Sequence, residues 1–228
     1  MSERWEKIAL AAGAPDMVTP IKNSFIIATS TAFLATLLSI FAAYNLARMR
    51  YKGKRLVSST ILISYVFPVF MLLIPLSVIY YQLGLLDSLL GVILAHLAYT
   101  LPFSIFILSS YLQDLPIEIE ESALIDGCSR FQSLIKVVLP LITPAIVTAA
   151  MFSFILSWDD LLFPLILLTS KENYPLPVQI TFFLFGGEVL SPEFLSAVIM
   201  FTATIPCILF YLAQKYIRAG LFAGAVKA

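Results

Sequence analysis

The sequence predicts an all-α integral membrane protein, a bundle of five spanning helices with one further short helix between two of them. Three observations carry that prediction. First, 60% of the residues are hydrophobic and 12% charged, with a mean hydropathy of +0.95. A soluble domain of 228 residues could not bury that much apolar surface. Second, five stretches lack any acidic or basic side chain: 23–47, 56–86, 88–113, 137–158 and 194–214. Each reaches the roughly 20 residues a helix needs to cross about 30 Å of hydrocarbon. Third, the basic residues cluster on one side of that arrangement.

Helices are the expected spanning elements because backbone polar groups in a bilayer must be satisfied within the segment. The pattern is not that of β-barrel strands, which alternate over about 10 residues. Residues 1–22 are polar, without an apolar core resembling a signal peptide. The first span, 23–47, is followed by Arg48, Arg50, Lys52, Lys54 and Arg55. The connection between the third and fourth spans carries Arg130 and Lys136, and the tail carries Lys215, Arg218 and Lys227. These three regions share one side and hold ten of the 14 Lys and Arg residues, so that side is cytoplasmic by the positive-inside rule. The other side holds Arg4, Lys7, Lys22 and Lys171. The chain thus divides into an extracytoplasmic amino-terminal segment (1–22), a transmembrane domain (23–214) and a cytoplasmic tail (215–228). A polar amino terminus outside the cell implies either an earlier helix or direct translocation of a short segment.

Within the spans, Pro68, Pro75, Pro102 and Pro206 are interior, and each frees a backbone carbonyl. A kinked helix lining a pathway accommodates this, and so does ordinary helix packing. Pro140 and Pro144 sit early in their helix, where a missing N–H costs least. The longest external segment, 161–193, contains Tyr174-Pro175-Leu176-Pro177 and Phe185-Gly186-Gly187, which favour turns. Its apolar part, 161–170, is too short to span and reads as a continuation of the fourth span or a re-entrant piece.

One polar island interrupts the apolar pattern on the cytoplasmic side. Asp114-Leu115-Pro116 resembles a helix start, with an acidic cap and an early Pro. Glu118, Glu120 and Glu121 would then suit the positive end of the helix dipole. Gly127 is a natural stop. A helix over 116–126 would be about 16 Å long, too short and too polar to span. Ser129-Arg130-Phe131-Gln132 reads as a capping box that starts a second helix. Ala123 is small enough for close approach by another surface, and Leu124 or Ile125 would face a partner or the protein body. The island is readable as a docking surface or as a capped connecting loop.

Little suggests catalysis. Cys128 and Cys207 fall at different depths and pack as small apolar residues, with no disulfide expected. His96 is the only histidine, and no metal-ligand spacing is present. It could face a pathway or bond to a neighbouring helix. No nucleophile, base and orienting group stand at credible spacing, so neither a catalytic residue nor a metal site is expected.

Glu121-Ser122-Ala123, then Asp126-Gly127, then Leu139-Pro140 resembles the EAA loop of permease subunits of binding-protein-dependent ABC importers. The usual pattern is Glu-Ala-Ala, a Gly four residues after the second Ala, and a downstream Leu-Pro; Ser122 replaces the first Ala. Asp126-Gly127 and Pro144 resemble the carbohydrate branch, which includes the smaller maltose-transporter permease. Asn23-Ser24, Ala43-Tyr44 with Arg48, Gly84-Leu85, Trp158-Asp159-Asp160 and the ending from Gly220 to Lys227 agree. Members of this branch usually have six spans, which implies a first span ahead of this chain.

The resemblance implies that Glu121, Ser122, Ala123, Asp126 and Gly127 form a cytoplasmic coupling helix that docks in a groove of an ABC ATPase dimer. ATP and magnesium would be held there, because this chain has no G-x-x-x-x-G-K-[ST] phosphate loop. It also implies a second permease, with a heterodimer expected, an extracytoplasmic solute-binding protein, a sugar-like substrate, and the lipid of a prokaryotic cell membrane. No nucleic-acid partner is expected. In that family the segment at Trp158 borders the translocation path. Here Asp159 stands where Asn is usual, and an aromatic face beside a carboxylate suits a sugar. Trp158, Asp159 and His96 are therefore the substrate-path candidates. The competing reading, an ion-coupled secondary transporter, calls for ionisable residues inside the spans, where only His96 and the marginal Asp159-Asp160 pair occur.

Overall fold

The longest apolar stretches form the longest helices. The computed structural model describes residues 16–66, 68–185 and 192–225, all of them helical or irregular, with no strand among them. In chain order the helices are α1 (Val18–Arg48), α2 (Lys54–Val66), α3 (Leu73–Gln82), α4 (Leu89–Asp114) and α5 (Ile117–Ile125). They continue with α6 (Arg130–Ser133), α7 (Thr143–Trp158), α8 (Leu162–Leu167), α9 (Leu176–Phe185) and α10 (Pro192–Ala225). Residues 1–15, the Gly186-Gly187 turn and Val226-Lys227 of the expected tail lie outside the described residues. α1 begins at Val18 and α10 runs on to Ala225, so helix extends into the segments assigned to either end.

By length and composition, three described helices could each cross a bilayer: Val18–Arg48, Leu89–Asp114 and Pro192–Tyr216. The count is up to five if each bent pair is one span. The stretches 56–86 and 137–158 are thus not the single straight helices expected. In the first, α2 ends at Val66, and Pro68 leads into a 3₁₀ turn at Val69–Leu72 before α3 begins. In the second, a helical segment over Arg130–Leu141, π-helical at Leu134–Val138, meets Thr143–Trp158 at 77°. Pro140 belongs to the helix before the bend and Pro144 to the helix after it. Pro144 has no N–H to return to the preceding turn, which removes one bond that would otherwise carry the helix straight through. An uninterrupted apolar run leaves such a break invisible, because hydropathy does not report direction. The apolar segment 161–170 does not continue the fourth span: α7 stops at Trp158, and α8 is a separate short helix.

The chain divides into two compact units. One contains the chain up to Thr31, Pro68–Leu97 and Phe154–Cys207. Here Asn23 and Ser24 of α1 hold the segment before α9. Asn23 Nδ2 donates to the carbonyls of Glu172 (2.8 Å) and Tyr174 (3.1 Å). The amide of Leu176 donates to Ser24 Oγ at 2.8 Å, so a side chain from α1 takes up an otherwise unsatisfied N–H at the start of α9. A second fastening centres on Asp87, which adopts a left-handed φ of 53°. Its carboxylate accepts from the Ser170 hydroxyl and from the amides of Ser170 and Thr169, both at 3.0 Å. Its carbonyl accepts from Asn173 Nδ2 at 2.7 Å. These donors hold the Asp87 carboxyl well below the usual carboxylate range, the Ser170 hydroxyl contributing most.

The other unit contains Ala32–Phe67, Ala98–Ser153 and the chain from Ile208. Its core joins Ala43 and Tyr44 of α1 to Leu108 and Leu112 of α4, and to Val138, Ile142, Ala145 and Ala149 around the 77° bend. Small residues at the contact let the helix backbones approach closely, as expected where apolar solvent gives no hydrophobic drive. Many large apolar side chains face outward instead, among them Leu56, Ile63 and Phe210. That distribution suits hydrocarbon rather than water as the surrounding medium.

Candidate functional site

The polar island folds as its local chemistry dictates. α5 covers Ile117–Ile125, one residue inside the expected 116–126 at each end. Gly127 has φ +90°. Its amide donates to the Leu124 carbonyl (3.1 Å) and that of Cys128 donates to Ala123 (3.0 Å). This pair of bonds is a Schellman closure, which requires a left-handed residue after the helix. The capping box forms as expected. Gln132 N–H donates to Ser129 Oγ at 3.2 Å, and Ser129 N–H donates to Gln132 Oε1 at 2.8 Å. The start of α5 differs from expectation. Asp114 closes α4, and Pro116 occupies the cap position without a side-chain bond to the helix. A Pro at that point sets an extended backbone, which is enough to separate the two helices.

On α5 the sequence-predicted residues separate by face. Glu121, Ser122, Asp126 and Gly127 are exposed, together with Leu124 and Ile125, the last 86% exposed. Ala123 is buried, so its small side chain serves contact with the protein's own body rather than with an incoming surface. Glu120 is also buried, at 5% exposure, which its place in the first turn of a polar helix does not foretell. Its carboxylate accepts from Arg48 Nε (2.5 Å) and from the Tyr44 hydroxyl (3.1 Å). Arg48 Nη2 also donates to the Leu115 carbonyl at 2.8 Å. A cleft of about 110 Å³ beside this cluster is lined by Tyr44, Arg48, Glu120, Glu121, Leu124 and Arg130, among others. The available signal was general: a glutamate on the inner face of a helix must find a cation, and Arg48 ends the neighbouring span.

The other candidates lie in the first unit. His96 is fully buried. Its Nδ1 lies 2.6 Å from Ser157 Oγ and its Nε2 lies 3.1 Å from Asp160 Oδ2. Of the two readings open for His96, bonding to a neighbouring helix is the one seen here. Asp160 also accepts from the amide of Phe163 at 3.1 Å, which fixes the turn into α8. Trp158 is 1% exposed, stacked on Phe154 at 5.7 Å and met edge-on by Phe25 at 4.9 Å. Its Nε1 donates to the Thr202 carbonyl at 3.2 Å. Asp159 is exposed. Trp158 and Asp159 are thus chain neighbours with different surroundings, and Ser157 and Asp160 are among the partners of His96, pairings that no local sequence pattern marks.

The described residues thus combine helices long and apolar enough to cross a membrane with one short, exposed polar helix closed at Gly127. Residues 8–222 match the family of binding-protein-dependent transport system inner membrane components, and the chain belongs to that family. It is a multi-pass membrane permease. Among its relatives is the trehalose transport system permease protein SugB of Mycobacterium tuberculosis, 38% identical over 206 residues, covering 90% of this chain and 75% of that protein. The inner membrane ABC transporter permease protein YcjP of Escherichia coli is 32% identical over 206 residues, covering 90% of this chain and 73% of that protein. Among solved structures, a bacterial ABC transporter that imports the acidic polysaccharide alginate superposes with a TM-score of 0.75 at 26% identity. That match covers 87% of this chain and 74% of the other.

Proposed function

We propose that this chain carries a sugar or related polyhydroxy solute across the cell membrane as one half of an ABC importer, with α5 as the element that receives the work of ATP. The observation that carries this reading is the geometry of α5. A nine-residue helix is closed at Gly127 and reopened by the Ser129 box, and it presents Glu121, Ser122, Leu124, Ile125 and Asp126 outward. A connecting loop has no need to expose two large aliphatic side chains next to acids. A groove on a partner would cover them. The basic residues flanking the spans support a cytoplasmic position for α5.

On this reading an ATPase dimer binds ATP and magnesium, closes, and displaces α5. A second permease, different from this chain, completes the pathway, and an extracytoplasmic binding protein delivers the solute. The sugar class draws support from the trehalose permease among the relatives and from the polysaccharide importer among the structures. Asp159 is the exposed acid of the substrate-path group, while Trp158 and His96 are buried among other partners and would act on the path through the packing of the segment around them. The test is to substitute Glu121 or Gly127 in the complete importer and to follow ATPase co-purification and ATP-driven uptake. Reduced coupling is expected in both variants, and normal coupling and uptake in both would remove the assigned role.

A further inference from the structure

We propose that Arg48, Glu120 and Tyr44 form a rigid joint that makes the cytoplasmic end of α1 follow α5, so that displacement of α5 reaches the first described span directly. The inference rests on the reading of α5 as the coupling element, and it concerns residues outside the exposed face of that helix.

Three features of the joint carry it. The Glu120 carboxylate is shared: Oε1 accepts from Arg48 Nε and Oε2 from the Tyr44 hydroxyl. Tyr44 and Arg48 are four residues apart on α1 and therefore lie on one face. A single residue of α5 thus holds two successive turns of α1. The Arg48 guanidinium uses a second nitrogen for the Leu115 carbonyl, in the junction between α4 and α5. Arg48 therefore fastens the start of α5 as well as its inner face, a double role that the planar fork of Arg fits and the point charge of Lys does not. Beyond the bend at Gly127, Arg130 Nη1 lies 3.3 Å from Met49 Sδ, so the segment after α5 also meets the end of α1.

The ion pair is nearly dry, with side-chain exposures of 9% for Arg48 and 7% for Glu120. A pair buried to that degree loses so much hydration that apolar residues of similar size would hold the helices together about as well. Apolar contacts, however, slide, whereas a carboxylate bonded at both oxygens fixes register and direction. Directional attachment is what the joint adds beyond cohesion. Arg48, Glu120 and Tyr44 are positioning residues on this account, since none lies on the exposed face of α5.

The experiment uses the assembled importer in nanodiscs with spin labels at Glu118→Cys on α5 and Asn45→Cys on α1, both exposed positions outside the proposed docking face, in a background without Cys128 and Cys207. The label separation is measured without nucleotide and with Mg-ATP as the probe. In the wild-type joint the separation stays the same while α5 moves. In the Arg48→Met, Glu120→Leu double variant, which keeps apolar packing, Mg-ATP shifts or splits the distance distribution. If the double variant tracks as the wild type does, or if the wild-type separation itself changes with Mg-ATP, the joint is refuted. Should the double variant not assemble, Tyr44→Phe removes one donor and leaves the ion pair. A distribution broadened by Mg-ATP supports the joint, and an unaltered one overturns it. Failure of the wild-type chain to retain the ATPase subunit would instead count against the coupling role of α5.

Discussion

Replacing Gly127 isolates backbone conformation from every other influence on the coupling helix. Gly127 sits at φ +90°, and a Cβ built there meets nothing within 4 Å. Gly127→Ala therefore has no steric clash to relieve, and its whole cost is the left-handed backbone, about 1–2 kcal/mol for an L-residue. Reduced freedom of the unfolded chain returns about 0.4–1 kcal/mol. The net loss is about 1 kcal/mol, or about fivefold in the equilibrium for local opening. Hydrogen exchange reads this directly in the assembled importer, because the Gly127 and Cys128 amides make the two closing bonds to Leu124 and Ala123. Those amides should exchange about fivefold faster in Gly127→Ala, and less so in Gly127→Asn, since Asn tolerates the left-handed region. Equal protection in Gly127→Ala and wild type would refute the reasoning, because the bend would not then depend on a left-handed residue.

Three further outcomes follow from the same geometry. Ser129→Ala removes the capping bond to the Gln132 amide and should weaken the helix after the bend by about 1 kcal/mol, seen as faster exchange at residues 130–133. Trp158→Ala should lower thermal stability by about 3–5 kcal/mol because it empties a fully buried site, whereas Trp158→Phe keeps an aromatic ring against Phe154 and loses the bond to Thr202 and part of the ring volume, a smaller cost; equal thermal shifts in the two variants would contradict this. The folded Asp87 carboxyl is held below its unfolded value, so its contribution is fully present above about pH 4 and is lost only as pH falls through the lower folded value. Protease resistance of the 168–173 segment should thus survive to well below pH 4 in the wild type. In Asp87→Asn it should be weaker at neutral pH and should lack that acid transition, so that the two chains converge once the wild-type carboxylate is protonated, and a wild-type midpoint at about pH 4 would count against the clamp.

What the sequence disclosed and what it withheld divide by range. The bend at Gly127 and the box at Ser129 depend on bonds across three to five residues, so residue identity was enough to place them. The apolar stretches located the membrane helices, because charge-free length is a local property. The break at Ile142 was not legible, although Pro140 and Pro144 both flank it, because two prolines near a helix start are equally compatible with one helix and with two. Three neighbouring glutamates gave no sign that Glu120 alone turns inward. That depends on the rotational phase of α5 against α1, a contact over 72 residues of chain. The Asp87 clamp and the partners of His96 are likewise long-range pairings. Asn23 and Ser24 carry part of the family resemblance without revealing a task, which is to hold the segment before α9, about 150 residues away in the chain.

The central claim is that the exposed face of α5 meets an ATP-hydrolysing subunit. A photo-crosslinking residue at Ile125, the most exposed large apolar side chain on that helix, tests it in membranes containing the whole importer. The account predicts that the principal adduct is with the ATPase subunit and that its yield changes when Mg-ATP is added. Adducts only to lipid or to the second permease, with the ATPase still bound to the complex, would contradict it.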